Sequence, residues 1–409
     1  MKKIFLTFGT NFANPLTAYL IVWGLTLFLY SIKFTNNILA INNKTIALIY
    51  SSCILFSFIY VSIKILNGSF VKKSHSTIYL LHLNNNEKIL NKYKGVLRGI
   101  FIFWLILSLI EIILFKGIPL ISVVILGQYD LDYKAFGVPT LHGLLNACYF
   151  TIVVGNFITY LIEKNRKRLY FTIILFIWPI LLMSRAMILW GLIEILCVYL
   201  FFNRITVKNF FKIFFGIIIF IIIFGLIGDS RNGELKQFTT STFVSTEYES
   251  VAEYIPSGFV WVYLYATTPI NNIVINVNKL NPQFGFKYSL NGLIPSFIRD
   301  KIFSESDKYA LILDDDAFNV SSYFANYLFD FGIAGAVIFA GFLQFITVIS
   351  FFSAKSGRIG SLISYSVLYY AVFTSVFFDN FISLPTVFQI FIGLFINYYI
   401  YRKNKLHYV

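Results

Sequence analysis

Residues 169–202 read LYFTIILFIWPILLMSRAMILWGLIEILCVYLFF, with Arg185 and Glu194 as the only charged side chains. Basic clusters flank the stretch: Lys164, Arg166, Lys167 and Arg168 before it, Arg204 and Lys208 after it. A helix needs about 20 apolar residues to cross the hydrocarbon core of a bilayer. Two runs approaching that length meet here with only Ser184-Arg185 between them. The reading that follows is a helical hairpin that crosses a membrane, turns tightly and returns.

Further runs of this kind lie at 15–32, 45–66, 96–115, 139–162, 210–227, 332–352, 360–378 and 384–401. With 169–183 and 186–202 they predict ten transmembrane helices. The composition agrees: 58% of the 409 residues are hydrophobic and 13% charged, against about 25% charged in soluble domains. Too few polar side chains remain to cover a water-facing surface. Cys53, Cys148 and Cys197 all fall inside apolar runs and read as small core residues with no disulfide framework. No cleavable leader is evident in residues 1–14, so the first run is expected to be an uncleaved anchor.

Orientation follows from Lys and Arg in short loops, which favour the cytoplasmic side. Basic residues gather before the first run (Lys2, Lys3), after the second (Lys72, Lys73, Lys88, Lys92, Lys94) and after the fourth (164–168). They gather again after the sixth (Arg204, Lys208, Lys212), the eighth (Lys355, Arg358) and the tenth (Arg402, Lys403, Lys405). Every second loop is basic, which places both termini in the cytoplasm. Of 19 acids, only Glu87 and Glu163 fall in those basic loops. The net charge of +14 is therefore a topology signal and does not point to nucleic acid.

The expected organisation is one all-α membrane domain. Residues 1–227 hold helices one to seven, 228–331 a large helical periplasmic loop, and 332–409 helices eight to ten. Two apolar stretches stand outside the count. Residues 117–126 are too short to cross, so they are expected to lie at the interface or re-enter. Residues 257–277 contain Pro269, Asn271, Asn272 and Asn276. Counting them as a span would invert every later loop, so they are expected to form an interfacial helix on the outer face.

Several residues can carry chemistry. Arg185, Arg231 and Arg299 break the inside bias, and guanidinium forks suit phosphate and pyrophosphate oxygens. Asp314, Asp315 and Asp316 could supply a general base or bind a divalent cation, or form a solvated acidic turn. His142, in Pro139-Thr140-Leu141-His142-Gly143, stands at the outer start of the fourth run, as a site residue or a helix cap. Glu111 and Glu194 are intramembrane carboxylates, functional by default or paired structurally. No P-loop or dinucleotide fingerprint occurs.

Taken together, these features resemble the bacterial O-antigen polymerases (the Wzy family), also called oligosaccharide repeat unit polymerases. The resemblance rests on the many-span layout with a late outer loop and on Ser184-Arg185 at a tight turn. It rests also on Asn319-Val320-Ser321-Ser322-Tyr323 leading to Asp330-Phe331-Gly332-Ile333-Ala334-Gly335, and on the His142 segment. It implies a membrane glycosyltransferase of the GT-C type, without a cofactor or resident metal, in the bacterial inner membrane. The implied donor is a growing glycan on undecaprenyl pyrophosphate, and the acceptor a single lipid-linked repeat unit. A chain-length regulator is the implied protein partner.

On this resemblance Arg185, Arg231, Asp315 and His142 are the candidate catalytic residues. Arg299, Asp314, Asp316, Asn319 and Tyr323 are the candidate substrate-binding residues. The related O-antigen ligases place a His just before the corresponding Asn, where this chain has Phe318. A ligase and a lipid-linked oligosaccharide flippase are the competing readings.

Overall fold

The structure, a computed structural model, describes residues 12–36, 38–70, 87–127, 136–203, 244–279, 281–302, 311–313 and 320–402. Between 211 and 225 it describes all but residues 213, 220, 223 and 224. The chain is all-helical, with no strand among the described residues and one isolated bridge between Thr35 and Val244. Its helices are α1 Pro15–Ile32, α2 Asn43–Phe70, α3 Glu87–Phe115, α4 Leu141–Glu163, α5 Arg166–Leu175 and α6 Ile177–Leu181. They continue as α7 Arg185–Phe202, α8 Ser257–Asn278, α9 Ser296–Ile302, α10 Phe324–Lys355, α11 Ile359–Phe373 and α12 Leu384–Tyr401. Seven of them are long and apolar enough to cross a membrane: α1, α2, α3, α4, α7, α10 and α12.

Local chemistry sets several boundaries. Asn14 caps α1, its side chain accepting from the Leu16 N–H at 3.0 Å, with Pro15 in the first turn. Ser383 caps α12 in the same way, followed by Pro385. Proline suits a first turn because its missing N–H would have no intrahelical partner there.

The run 169–183 does not make one helix. It divides into α5 and the five-residue α6 at Phe176. Pro179 has no N–H to offer the Leu175 carbonyl four residues back. That carbonyl accepts from the Tyr149 hydroxyl of α4 at 3.0 Å instead. The expected single span is thus two short helices pinned at their junction by a neighbour.

Residues 257–277 also depart from expectation. As α8 they are packed into the helical body against α1, α2 and α10, with most side chains buried. The asparagines explain the position. Asn271 Oδ1 accepts from the Leu39 N–H at 3.2 Å and from the Tyr30 hydroxyl at 2.5 Å. Asn272 Nδ2 donates to the Val320 carbonyl at 2.7 Å, and Asn276 makes a two-way pair with the Ile312 backbone at 2.8 and 3.0 Å. Three extended backbone segments are satisfied by one helix face. A buried backbone polar group must find such a partner.

The expected eighth span begins earlier than Gly332 and is not straight. Gly332 has φ 68° and ψ −172° inside α10, a region essentially closed to other residues. Across it, the Tyr323 hydroxyl accepts from Gln344 Nε2 at 3.2 Å. In a straight helix those residues would lie about 31 Å apart along the axis. The Tyr327 and Phe339 rings meet at 4.6 Å and those of Phe331 and Phe339 stack at 5.6 Å. Residues 324–331 are therefore one limb of a hairpin folded back on 333–355.

The free end of the short limb reaches the middle of the bundle. There the Tyr323 hydroxyl joins those of Tyr19 (2.9 Å) and Ser52 (3.0 Å) with Gln344. Its other end is held by residues 283–289: the Gln283 N–H donates to the Phe329 carbonyl at 3.0 Å, and Asp330 accepts from the Tyr288 and Ser289 N–H groups.

Gly332→Ala is expected to lower the stability of the detergent-solubilised protein by about 1–3 kcal/mol, the usual cost of a residue forced into such a conformation. The check is a thermal melt by size-exclusion fluorescence. A melt equal to that of the unsubstituted protein would refute a glycine-dependent reversal.

Candidate functional site

One end of the bundle carries the described residues of 33–42, 116–140 and 374–383. Residues 245 and 292 reach this end. The Ser245 N–H donates to the Phe34 carbonyl at 3.0 Å, and the Leu384 N–H to the Gly292 carbonyl at 3.1 Å.

At this end α3 and α4 bring a carboxylate to a histidine. Glu111, one turn before the end of α3, is 1% exposed. Its Oε2 lies 2.9 Å from Nδ1 of His142, and its Oε1 accepts from the Val138 N–H at 3.0 Å. Glu111 is thereby engaged through both oxygens, and the imidazole is held by one nitrogen. The His142 side chain is 26% exposed, and among the described residues its Nε2 has no hydrogen-bond partner. The Phe136 ring stands edge-on to the imidazole at 5.7 Å. Gly137, at φ 100°, lets the loop pass under it, where a Cβ would come within 2.6 Å of the ring. A buried carboxylate that fixes one imidazole nitrogen and leaves the other free orients a general base.

Arg185 opens α7 at the same end. Ser184 caps that helix, its hydroxyl accepting from the Met187 N–H at 3.4 Å. Trp190, about 7.5 Å further along the axis, stacks on Phe150 of α4 at 4.4 Å. Arg185 and His142 therefore stand near the same end of two packed helices. Arg299 lies in α9, in the segment after Gly292, and is half-buried.

The α11–α12 hairpin adds a group that sequence reading passed over. Asp379 accepts from the Tyr327 hydroxyl of the folded-back limb, and through Oδ1 from the Phe381 N–H at 2.9 Å. The side chain is half-buried. Burial pushes its carboxyl up to about 6, and hydrogen bonds from Tyr327, Ile382 and Phe381 oppose the shift. In the sequence it is one acid among many between two apolar runs, and nothing marks it.

Tyr323 does not belong to this rim. It is fully buried, with its hydroxyl committed to Tyr19, Ser52 and Gln344. The hydroxyl ties the start of α10 to α1 and α2. Glu194 is likewise committed. It accepts from Trp190 Nε1 (2.5 Å), the Ser366 hydroxyl (2.8 Å) and Gln389 Nε2 (2.6 Å), binding α7, α11 and α12 together. Arg231, Asp314, Asp315, Asp316 and Asn319 lie outside the described residues. No family model, characterised protein or solved structure matches the chain.

Asp379 gives a pH prediction. Its carboxyl holds a proton more tightly in the fold than in the unfolded chain, whose value is near 3.8. Its contribution to stability is therefore fully present below that value and is lost as pH rises through about 6. Asp379→Asn is expected to flatten that part of the melting-temperature profile. A profile that keeps the same fall in the variant would assign it to another group.

Proposed function

We propose that the chain is an O-antigen polymerase. It would be a GT-C-like glycosyltransferase with about ten spans in the bacterial inner membrane, both termini cytoplasmic and the Glu111–His142 rim facing the periplasm. Donor and acceptor are undecaprenyl-pyrophosphate-linked glycans, and a chain-length regulator is the expected partner. The observation that carries the reading is the Glu111–His142 pair, a supported base with a free Nε2 at the end of the bundle where the loop charges place the outside.

The chemistry follows from that placement. The acceptor hydroxyl attacks the anomeric carbon of the donor sugar, and the bond from that carbon to the lipid pyrophosphate breaks. His142 Nε2 takes the hydroxyl proton, and Glu111 stabilises the imidazolium that forms. Negative charge gathers on the departing pyrophosphate, where Arg185 and Arg299, with Arg231, supply guanidinium donors. The cleaved bond is an activated one, so the step needs no nucleotide.

The test uses a deletion of the gene in its host, complemented by plasmid-borne variants, with lipopolysaccharide separated on a gel. Deletion is expected to leave a core-plus-one-unit band and no ladder. Wild type restores the ladder. His142→Ala is expected to lower polymerisation by about 10²–10⁴-fold, and Arg185→Ala to abolish the ladder while the protein remains in the membrane. Loss of every O-unit band on deletion would point to a ligase or flippase, and an unchanged ladder would end the glycan reading.

A further inference from the structure

The proposed glycan chemistry leaves unused a polar cleft at the other end of α3 and α4. From Glu87 to Glu111, α3 advances 24 residues, about 36 Å along its axis. The cleft therefore lies at the end of the bundle opposite His142. It measures about 530 Å³. Its polar lining is Glu87, Asn91 and Lys94 of α3, Glu163 at the end of α4, and Asn165 and Arg168 where α5 starts.

The four charged groups sum to zero, but they do not pair off. Lys94 forms an ion pair with Glu163. Glu87, in the exposed first turn of α3, has no ion-pair partner among the described residues, and neither has Arg168. The half-buried Arg168 guanidinium reaches back along α4, its Nη1 donating to Asn156 Oδ1 at 3.1 Å. Asn156 is itself fixed, its Nδ2 donating to the Ile152 carbonyl at 2.8 Å. That is one bond for a group with five N–H donors. One residue along α4, the buried Tyr93 hydroxyl lies against Gly155 without a hydrogen-bond partner among the described residues. Asn165 caps α5 through its Oδ1, which accepts from the Lys167 N–H at 3.0 Å. Its amide N–H groups remain as further donors.

Donors left over at a partly buried site call for an acceptor from outside the chain. Both α3 and α4 are long and apolar enough to cross a membrane. Their ends then meet the headgroup layer, where phosphate oxygens are the abundant acceptors. Charged pockets between helix ends at that level bind lipid headgroups, and a guanidinium fork suits phosphate. A purely anionic headgroup would meet repulsion from Glu87. One that carries an amine beyond its phosphate answers both unpaired charges. We propose that this cleft binds the phosphoethanolamine headgroup of an aminophospholipid, with its phosphate on Arg168 and its ammonium on Glu87. The proposal goes beyond the polymerase reading and does not rest on it.

The test is native mass spectrometry of the detergent-purified full-length protein. It is titrated with dioleoyl phosphatidylethanolamine, phosphatidylcholine or phosphatidylglycerol. These probes share their acyl chains and phosphate and differ in the amine, which is primary, quaternary or absent. Phosphatidylethanolamine is expected to bind about tenfold more tightly than either of the others, equivalent to about 1.4 kcal/mol. Glu87→Gln is expected to bring it level with phosphatidylcholine, and Arg168→Gln to weaken all three. Glu87→Gln sits at an exposed helix start, so it carries the test alone if the Arg168 variant fails to fold. Equal binding of the three lipids to wild type would overturn the proposal, and so would a preference that Glu87→Gln leaves unchanged.

Glycerophosphoethanolamine, the headgroup without acyl chains, separates the two sources of this chemistry. Failure to displace the lipid at equal concentration is expected and assigns the site to a membrane lipid. Full displacement would assign the same two contacts to a soluble phosphate ester. No readout involves a glycan, so these results stand apart from the fate of the polymerase reading.

Discussion

The demand that every polar group inside an apolar-faced bundle find a partner within the protein shapes the rest of this molecule. In hydrocarbon an unsatisfied backbone or side-chain group costs several kcal/mol. Glu194 shows the principle at its strictest. No cation pairs with it among the described residues, yet both its oxygens are saturated by Trp190, Ser366 and Gln389. The three helices that supply and receive those bonds cannot separate without exposing a carboxyl to an apolar interior. The same demand lets α8 tolerate three asparagines, because each meets extended chain or a hydroxyl that would otherwise be orphaned.

Non-helical backbone follows the same rule. Irregular chain at membrane depth is tolerated where it is buried in protein or lines a cavity. The break at Gly332 is held in this way: the helical limb 324–331 beside it is tied at one end by the Tyr19–Ser52–Tyr323–Gln344 hydroxyl and amide cluster and at the other by the Asp330 contacts. Tyr327 on that limb reaches Asp379 in the α11–α12 hairpin. The reversal at Gly332 is thereby connected to the rim where the candidate base sits.

The rim joins chemical elements that differ in their surroundings. His142 is partly open with its carboxylate partner closed away, and Asp379 is half-buried against a phenol. Apolar surface begins a turn or two below.

The sequence by itself determined the solvent and much of the layout. Apolar length marked the spans, and α1 and α12 fall on the residues expected for them because a capping Asn or Ser followed by proline sits at each start. His142 stood out as a candidate in the sequence from its place near the start of the run 139–162. What needed the tertiary structure were pairings between distant residues: Glu111 with His142, Glu194 with Gln389, Tyr323 with Gln344. One-dimensional hydropathy could not foresee that Tyr149 would take the carbonyl Pro179 leaves open and so divide 169–183. Nor could it see that Gly332 would reverse a run otherwise apolar enough to continue. Periodicity and charge report which solvent a residue prefers. Which polar groups satisfy one another is decided only when the helices meet, and that choice fixed both the breaks in the helices and the composition of the candidate site.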